Sequence, residues 1–192
     1  SLERRGHDVA LHTHPQWAYD PDRPNMYDYS LEEQSEIIRE GSDLLSKWTG
    51  LPVVAHRAGA YSANRDTVVA LERSGIALDS SWFLDHPNSR LADAGLLNNL
   101  PTRSGQVTEI PVTVYARRER PRLLGDLVPA LPSVRKLDPN WVSNEIEARA
   151  AVDALLSTDT PYLVFFLHSF SLITEDSNEG RMIHDSRAEA VF

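Results

Sequence analysis

Residues 52–82, with the sequence PVVAHRAGAYSANRDTVVALERSGIALDSSW, predict the fold class of this chain. Residues 52–56 are a short apolar run typical of a strand, and residues 76–81 form another. Between them lies a helical pattern that begins near Asn64 and is ended by Gly75. A strand, a helix and a second strand at this spacing favour a right-handed crossover between parallel strands. We therefore expect an α/β protein.

The same alternation continues on both sides of this unit. Further strands are predicted over residues 8–12, 108–115 and 162–168. Ser30, with Glu33 three positions later, forms a capping box for a helix that Gly50 ends, and a second clear helix is predicted over residues 144–156. The segment 116–139 is rich in Arg and Pro, and we expect it to be an excursion from the core.

The composition limits the kinds of protein this chain can be. Its 192 residues carry 19 Lys and Arg against 28 Asp and Glu, a formal net charge of −9, which argues against nucleic acid as a partner. Cysteine is absent, so any metal has to bind His, Asp or Glu. No apolar run approaches the ~20 residues that a membrane-spanning helix needs. We expect one domain over residues 1–192, whose compartment and oligomeric state the sequence does not determine.

Three predicted strands end in histidine, at His12, His56 and His168. The carboxyl ends of parallel strands form the ligand-binding face of α/β folds, so these side chains are candidates for a site. His12 and His14 are two positions apart, and in an extended chain both face the same way. The pair can therefore bind one divalent ion such as zinc. The alternative is a surface loop with two unrelated histidines.

The loop after the second strand, Arg57-Ala58-Gly59-Ala60-Tyr61, is another candidate. An Arg here can hold a carboxylate through a bidentate pair, and Gly59 permits a turn that aims N–H groups at a developing oxyanion. The alternative is an ordinary loop with a surface Arg. His168 follows a strongly apolar run, so we expect it at low dielectric, where it suits general acid work. The other histidines are expected on the surface: His7, His86 and His184.

Taken in order, these residues resemble the polysaccharide deacetylase family, the metal-dependent carbohydrate esterases with a NodB homology domain. His12-Thr13 is similar to the metal-binding motif of that family, and residues 57–61 to the Arg motif that orients the catalytic base. Residues 79–82 resemble the motif that lines the substrate groove, and His168 resembles the general acid. The resemblance implies a distorted (β/α) barrel, a divalent metal cofactor such as zinc, and catalytic roles for His168 and Arg57.

The resemblance also implies the reaction and its substrate. A divalent ion would activate water for hydrolysis of an N-acetyl or O-acetyl group on a carbohydrate or glycan. We expect His12 and His14 to bind the metal. Three aromatic residues are expected to bind the substrate: Tyr61, Trp82 and Trp17. The backbone of Tyr61 would also help to stabilise the oxyanion.

The sequence departs from the family pattern in two places. Gln16 stands where the family has its second metal-binding histidine, so His14 is the natural substitute. The family also begins with an Asp-Asp strand motif that gives the catalytic base and one metal ligand, and Asp20 and Asp22 do not match it in order or context. We therefore expect the chain to be a fragment that lacks the first strand motif of the barrel and is incomplete for catalysis.

Two other functions fit the sequence. The first is another metallohydrolase with paired histidines at a strand end, of the amidohydrolase or phosphoesterase type, which would need further ligands such as His56 and His168. The second is a catalytically inactive carbohydrate-binding domain, which the missing first motif favours.

Overall fold

The computed structural model describes residues 5–91, 99–119, 131–139, 142, 144–168, 170–176 and 181–189. The chain divides into two compact units, Ser1–Val112 and Thr113–Phe192, and each is described by itself. The single domain expected over residues 1–192 stays a prediction. Among the described residues, no helix combines the length and the apolar composition needed to cross a membrane.

The first unit is a mixed α/β structure built on a five-stranded sheet. Its elements are β1 (Leu11–Thr13), α1 (Leu31–Thr49), β2 (Ala55–Ala58), α2 (Arg65–Arg73), β3 (Leu78–Asp79), β4 (Thr102–Ser104) and β5 (Val107–Glu109). The strand order is β1-β2-β3-β5-β4. All pairings are parallel except that of β4 with β5. The α/β class with parallel strands is thus confirmed, whereas the described strands do not show a barrel.

Side-chain caps fix the beginnings of both helices in this unit: Ser30 forms the predicted capping box, and Asn64 caps the helix predicted to begin near it. The hydroxyl of Ser30 accepts a hydrogen bond from the Glu33 backbone N–H at 3.3 Å, and the Glu33 carboxylate accepts one from the Ser30 N–H at 2.8 Å. Gly50 ends α1 in a left-handed conformation, with φ 76°. Asn64 caps α2 by accepting from the Thr67 N–H at 3.1 Å.

The core of the first unit lies between the helices and the sheet. Its fully buried members include Ile38 of α1, Leu71 of α2 and Val107 of β5, and burial of each such side chain stabilises the fold by about 1.5–3 kcal/mol. Helix α1 approaches β1 closely at Gly41, where an added Cβ would lie 2.7 Å from a methyl carbon of Leu11. This packing supports the strand from which the candidate site begins.

The strands begin and end later than the apolar runs predict. The first strand is Leu11–Thr13 rather than residues 8–12, and the second is Ala55–Ala58 rather than residues 52–56. The polar residues at the site are therefore part of the hydrogen-bonded sheet. Apolar runs mark the strands, but backbone pairing decides their ends.

The strand predicted over residues 108–115 is interrupted at residues 110–113, on either side of Pro111, which has no N–H to donate to a ladder. Its first part belongs to β5. Its second part begins β6 (Val114–Glu119), which pairs antiparallel with β7 (Leu131–Lys136) in the second unit. The segment 116–139, expected to be an excursion from the core, contains most of this strand pair and the buried Leu137, and its residues 120–130 lie outside the described residues.

The rest of the second unit is a helix and a small strand pair. Helix α3 (Glu145–Leu156) begins where predicted, with the Asn144 side chain accepting from the Glu147 N–H at 3.0 Å. Strands β8 (Ile173–Glu175) and β9 (Met182–His184) pair antiparallel, and α4 (Ser186–Glu189) follows.

Residues 162–168 do not form the predicted strand. Phe166 is the buried member of the run, and its N–H donates to the Leu137 carbonyl at 2.9 Å. Several of its large apolar side chains are exposed: Tyr162, Phe165 and Leu167. An apolar run becomes a strand only when a neighbouring strand pairs with it. Among the described residues, this run forms isolated hydrogen bonds and not the ladder of a sheet.

Candidate functional site

The candidate site lies at the carboxyl ends of the parallel strands in the first unit. His12 pairs in register with Arg57, and His56 pairs with Asp79, which in turn pairs with Glu109. Because side chains alternate along a strand, these residues form two sets on opposite faces of the sheet. We call His12, His14 and Arg57 the outer set. We call Thr13, His56, Asp79 and Glu109 the inner chain.

The two imidazoles of the outer set lie side by side on the surface. The ring centroids of His12 and His14 are 4.8 Å apart, and the ring planes are nearly perpendicular. Nδ1 of His12 lies 2.8 Å from the backbone carbonyl of Arg57, which can only accept a hydrogen bond. The proton of the neutral ring is therefore on Nδ1, and Nε2 keeps the lone pair that a metal needs. Burial lowers the pKa of His12 despite the opposing effect of this hydrogen bond, which favours the neutral ring at pH 7.

Gly59 is the reason that the histidine pair and the Arg57 loop can meet. A Cβ at this position would touch the Thr13 carbonyl oxygen and would lie 2.6 Å from Nδ1 of His14. The next two residues, Ala60 and Tyr61, have φ values of 50° and 60°, in the left-handed region that costs L-residues about 1–2 kcal/mol each. A strained turn at a strand end is a feature that clusters at functional sites.

Arg57 is held in place by the end of the neighbouring strand. Its Nε donates to the Ser80 carbonyl at 2.8 Å, and its Nη2 donates to the Ser80 hydroxyl at 2.7 Å. Burial lowers the pKa of its guanidinium. The alternative of a loosely placed surface Arg therefore does not fit, while its predicted role in orienting a catalytic carboxylate stays a prediction.

The three predicted sugar-binding aromatics lie in different environments. Trp17 is 83% exposed, with its ring 6.3 Å from that of His14. Tyr61 is half-buried and packs edge-on against Phe83 at a centroid distance of 5.0 Å. Trp82 is only 7% exposed, so its ring lies in the core rather than on the surface.

Two further residues differ from what the sequence suggests. His86 is not an isolated surface histidine, because its ring stacks on Phe83 at 5.0 Å and contacts Tyr61 edge-on at 4.9 Å. Gln16, in the amide orientation that satisfies its neighbours, donates to the Pro24 carbonyl at 3.1 Å and accepts from the indole N–H of Trp17 at 2.9 Å. These two hydrogen bonds of Gln16 thus stabilise the loop in which it lies.

The inner chain begins with a hydrogen-bonded row of three side chains. Oγ1 of Thr13 lies 3.0 Å from Nε2 of His56, and Nδ1 of His56 lies 2.8 Å from Oδ1 of Asp79. The Ser81 hydroxyl also donates to Oδ1 of Asp79, at 2.8 Å. Burial alone would raise the pKa of Asp79, but the hydrogen bonds and charge of its neighbours, His56 foremost, outweigh burial and lower it. Asp79 is therefore the ionised carboxylate of the inner chain.

Glu109 closes the inner chain on β5. One of its oxygens accepts from the Trp82 backbone N–H at 2.7 Å, and Glu109 pairs in register with Asp79 on the neighbouring strand. Burial, and next the charge of Asp79, raise the pKa of Glu109 well above its usual range. No sequence motif marks Glu109 as a site residue. The one indication in the sequence is an acidic residue within an otherwise alternating apolar run.

The described residues only partly fit the expected metal centre. His12 and His14 offer two imidazoles with suitable chemistry, but no group of three or more His, Asp, Glu or Cys side chains in the described ranges could hold a metal ion. Both ring nitrogens of His56 are already bonded within the inner chain, so His56 cannot serve as the additional ligand of an amidohydrolase-type site. Asp20 uses a carboxylate oxygen to accept from the Asp22 N–H within their loop, at 3.0 Å.

His168 belongs to the second unit. Its ring is exposed and stacks on Phe170 at 4.8 Å, and its backbone N–H donates to the Ser171 hydroxyl at 2.9 Å. The expectation of a low-dielectric setting is therefore wrong, because the preceding run is not a buried strand. Its role as general acid stays a prediction.

No protein-family model matches the chain, and no curated protein matches it. Among solved structures, a candidate polysaccharide deacetylase from Mycobacterium smegmatis is similar over 58% of this chain, with 20% sequence identity and a TM-score of 0.43. The chain spans about a third (34%) of the length of that structure. A likeness of this degree assigns neither a fold nor an activity, so the functional argument depends on the site itself.

Proposed function

We propose that the chain belongs to a hydrolase that removes N-acetyl or O-acetyl groups from a carbohydrate. The observation that carries this proposal is the outer set, in which two exposed imidazoles lie against the Arg57–Gly59 loop at the ends of adjacent parallel strands. The same order of motifs is the basis of the resemblance to polysaccharide deacetylases. The proposal includes the distorted (β/α) barrel, of which the sheet of the first unit would be a part.

His12 and His14 would supply two ligands of a divalent ion, with zinc as the first candidate. When bound, such an ion polarises an acetyl carbonyl and lowers the pKa of a coordinated water. The fixed tautomer of His12 prepares its Nε2 for this role. A further ligand and the catalytic base have to come from outside the described residues.

The aromatic residues beside the outer set suit a sugar substrate. Trp17 exposes a broad apolar face next to His14, and Tyr61 lies in the strained turn that follows Gly59. Aromatic rings with one polar end are typical of sites where an amphipathic ligand docks. Since the ring of Trp82 is buried, the proposal keeps Trp17 and Tyr61 as sugar contacts and gives Trp82 no direct contact.

The experiment is acetate release from a panel of N-acetylated and O-acetylated oligosaccharides, with zinc present, by a protein in which this chain is joined to the further metal ligand and the catalytic base. Acetate release that is lost in His12→Ala and His14→Ala but kept in His184→Ala supports the proposal. The control residue His184 is an exposed histidine of the second unit. Release that persists in both outer-set variants contradicts it.

A second candidate function is an inactive carbohydrate-binding domain. The observation that favours it is that the described residues supply two imidazoles and no third ligand. Glycan binding without acetate release, lost in Trp17→Ala, supports this candidate. Binding of cyclic amides or phosphoesters with their hydrolysis would instead support the other metallohydrolase class.

A further inference from the structure

The inner chain has the geometry of a catalytic triad but not its accessibility. Thr13, His56 and Asp79 follow one another at 3.0 Å and 2.8 Å, which are the distances between a nucleophile, its base and an orienting carboxylate. Thr13 is only 5% exposed, and the side chains of His56 and Asp79 are fully buried. No substrate can reach the Thr13 hydroxyl, so this row of groups serves another purpose.

Glu109, the fourth member of the inner chain, bears on which of the two carboxyl groups carries a proton. Oδ2 of Asp79 and Oε2 of Glu109 are buried and accept no hydrogen bond from an N–H or hydroxyl donor in the described part of the chain. Two ionised carboxylates would leave both oxygens without a donor. A proton on Glu109 would let this acid donate to the ionised Asp79, in agreement with the raised pKa of Glu109 and the lowered pKa of Asp79.

The ring of His56 joins Asp79 to Thr13 by hydrogen bonds at its two nitrogens. The ring proton on Nδ1 of His56 points to the Asp79 carboxylate. Nε2 of His56 lies 3.0 Å from the Thr13 hydroxyl, which can either donate or accept a hydrogen bond. The inner chain thus links the ends of β1, β2 and β3 by side-chain hydrogen bonds, and Glu109 joins it from β5.

Thr13 is the member of the inner chain that lies next to the outer set. It stands between His12 and His14, and alternation along the strand sends its side chain inward and theirs outward. We propose that Thr13, His56, Asp79 and Glu109 are positioning residues that hold the end of β1 and thereby set the orientation of the His12 and His14 rings. This inference rests on the proposed function of the outer set and names the residues that prepare it.

The test compares isosteric and conservative variants of the full chain by NMR of the histidine side chains, without metal. Thr13→Val keeps the shape and removes the hydroxyl, whereas Thr13→Ser keeps the hydroxyl. Thr13→Val should shift the ring signals of His12 and His14 and expose the Nδ1 proton of His56 to solvent exchange. Thr13→Ser should retain the wild-type signals, and the ring of His184 should be unchanged in both.

Glu109 gives a second, independent pair of variants. Glu109→Gln still presents a neutral donor to Asp79, whereas Glu109→Ala does not. The amide variant should keep the wild-type His12 and His14 signals, and the alanine variant should shift them. Far-UV circular dichroism identifies the variants that remain folded. If Thr13→Val and Glu109→Ala both unfold, the conservative variants Thr13→Ser and Glu109→Gln must still show the wild-type ring signals of His12 and His14.

Zinc binding by the same variants gives a second measurement. Loss of such a supporting residue typically lowers metal affinity about 10–100-fold, and we expect this loss for Thr13→Val and not for Thr13→Ser. Unchanged His12 and His14 signals in a folded Thr13→Val protein, or shifted signals in Thr13→Ser, would overturn the inference. The NMR signals can be measured even if the wild-type chain releases no acetate. Failure of the proposed function is therefore distinguishable from failure of this inference.

Discussion

Nδ1 of His56 lies 2.8 Å from Oδ1 of Asp79, and neither side chain is accessible to solvent. The pair joins β2 to β3 directly beneath the outer set. It makes the inner chain a structural support of the site and removes His56 from the candidate metal ligands.

Asp79→Asn should destabilise the first unit strongly. The change removes the charge that His56 and Glu109 face, and loss of one partner of a buried pair typically costs about 3–5 kcal/mol. Urea denaturation followed by tryptophan fluorescence measures the free energy of unfolding. The control Asp153→Asn alters an exposed carboxylate on α3 and should change this free energy by less than about 0.5 kcal/mol. Equal effects of the two substitutions would contradict the buried pair.

The raised pKa of Glu109 predicts how stability depends on pH. The folded protein retains a proton that the unfolded chain releases above the ordinary value of 4.5. The free energy of unfolding should therefore fall as pH rises from that value to the raised pKa, and then level off. Glu109→Gln does not titrate and should remove this slope.

Denaturant titrations of both proteins between about pH 5 and pH 9 measure the slope. Glu36→Gln, on the exposed face of α1, is the matched control and should retain the wild-type slope. A wild-type slope in the Glu109→Gln protein would show that Glu109 is not the group responsible.

Gly59→Ala should separate the histidine pair from the loop. The new methyl group would meet the Thr13 carbonyl and the His14 ring, which have to move. An overpacked position of this kind typically costs about 1–3 kcal/mol, and thermal denaturation should show the loss. At the next position, Ala60→Gly suits the left-handed backbone and should change stability by less than about 1 kcal/mol. Full stability of the Gly59→Ala protein would mean that the loop and His14 are not in contact.

His168→Ala tests the general acid assigned through the family resemblance. In a chain with acetate-releasing activity, the substitution should abolish turnover and leave the bound zinc unchanged, because His168 is not a proposed ligand. A typical general acid contributes about 10²–10⁴-fold to the rate. Elemental analysis and acetate release measure the two quantities, with His184→Ala as control. Retained turnover would exclude His168 from this role.

The sequence was sufficient for features that depend on local chemistry. Ser30 and Asn64 marked the beginnings of both helices in the first unit, because caps act within one turn. The parallel pairing of the strands followed from their alternation with helices. The sequence places His12 and Arg57 at the ends of two predicted strands, and the sheet register adds that they pair.

Features that depend on distant partners could not be read from the sequence. Within the described part of the chain, the apolar run 162–168 has no pairing strand, and its pattern alone does not indicate this. The inner location of His56 and Glu109 depends on the register of three strands, which no local motif records. Trp82 resembled a groove residue, but its place in the core is a consequence of packing.

The central claim is that His12 and His14 act together as a binding pair for a divalent ion. Calorimetric titration of the metal-free full chain with zinc, repeated for His12→Ala, His14→Ala and the exposed control His184→Ala, tests this claim most directly. We expect one zinc ion per chain, lost or weakened at least about tenfold in each outer-set variant and unchanged in the control. Zinc affinity that is identical in the wild type and both outer-set variants, or no zinc binding by the wild type, would contradict the claim.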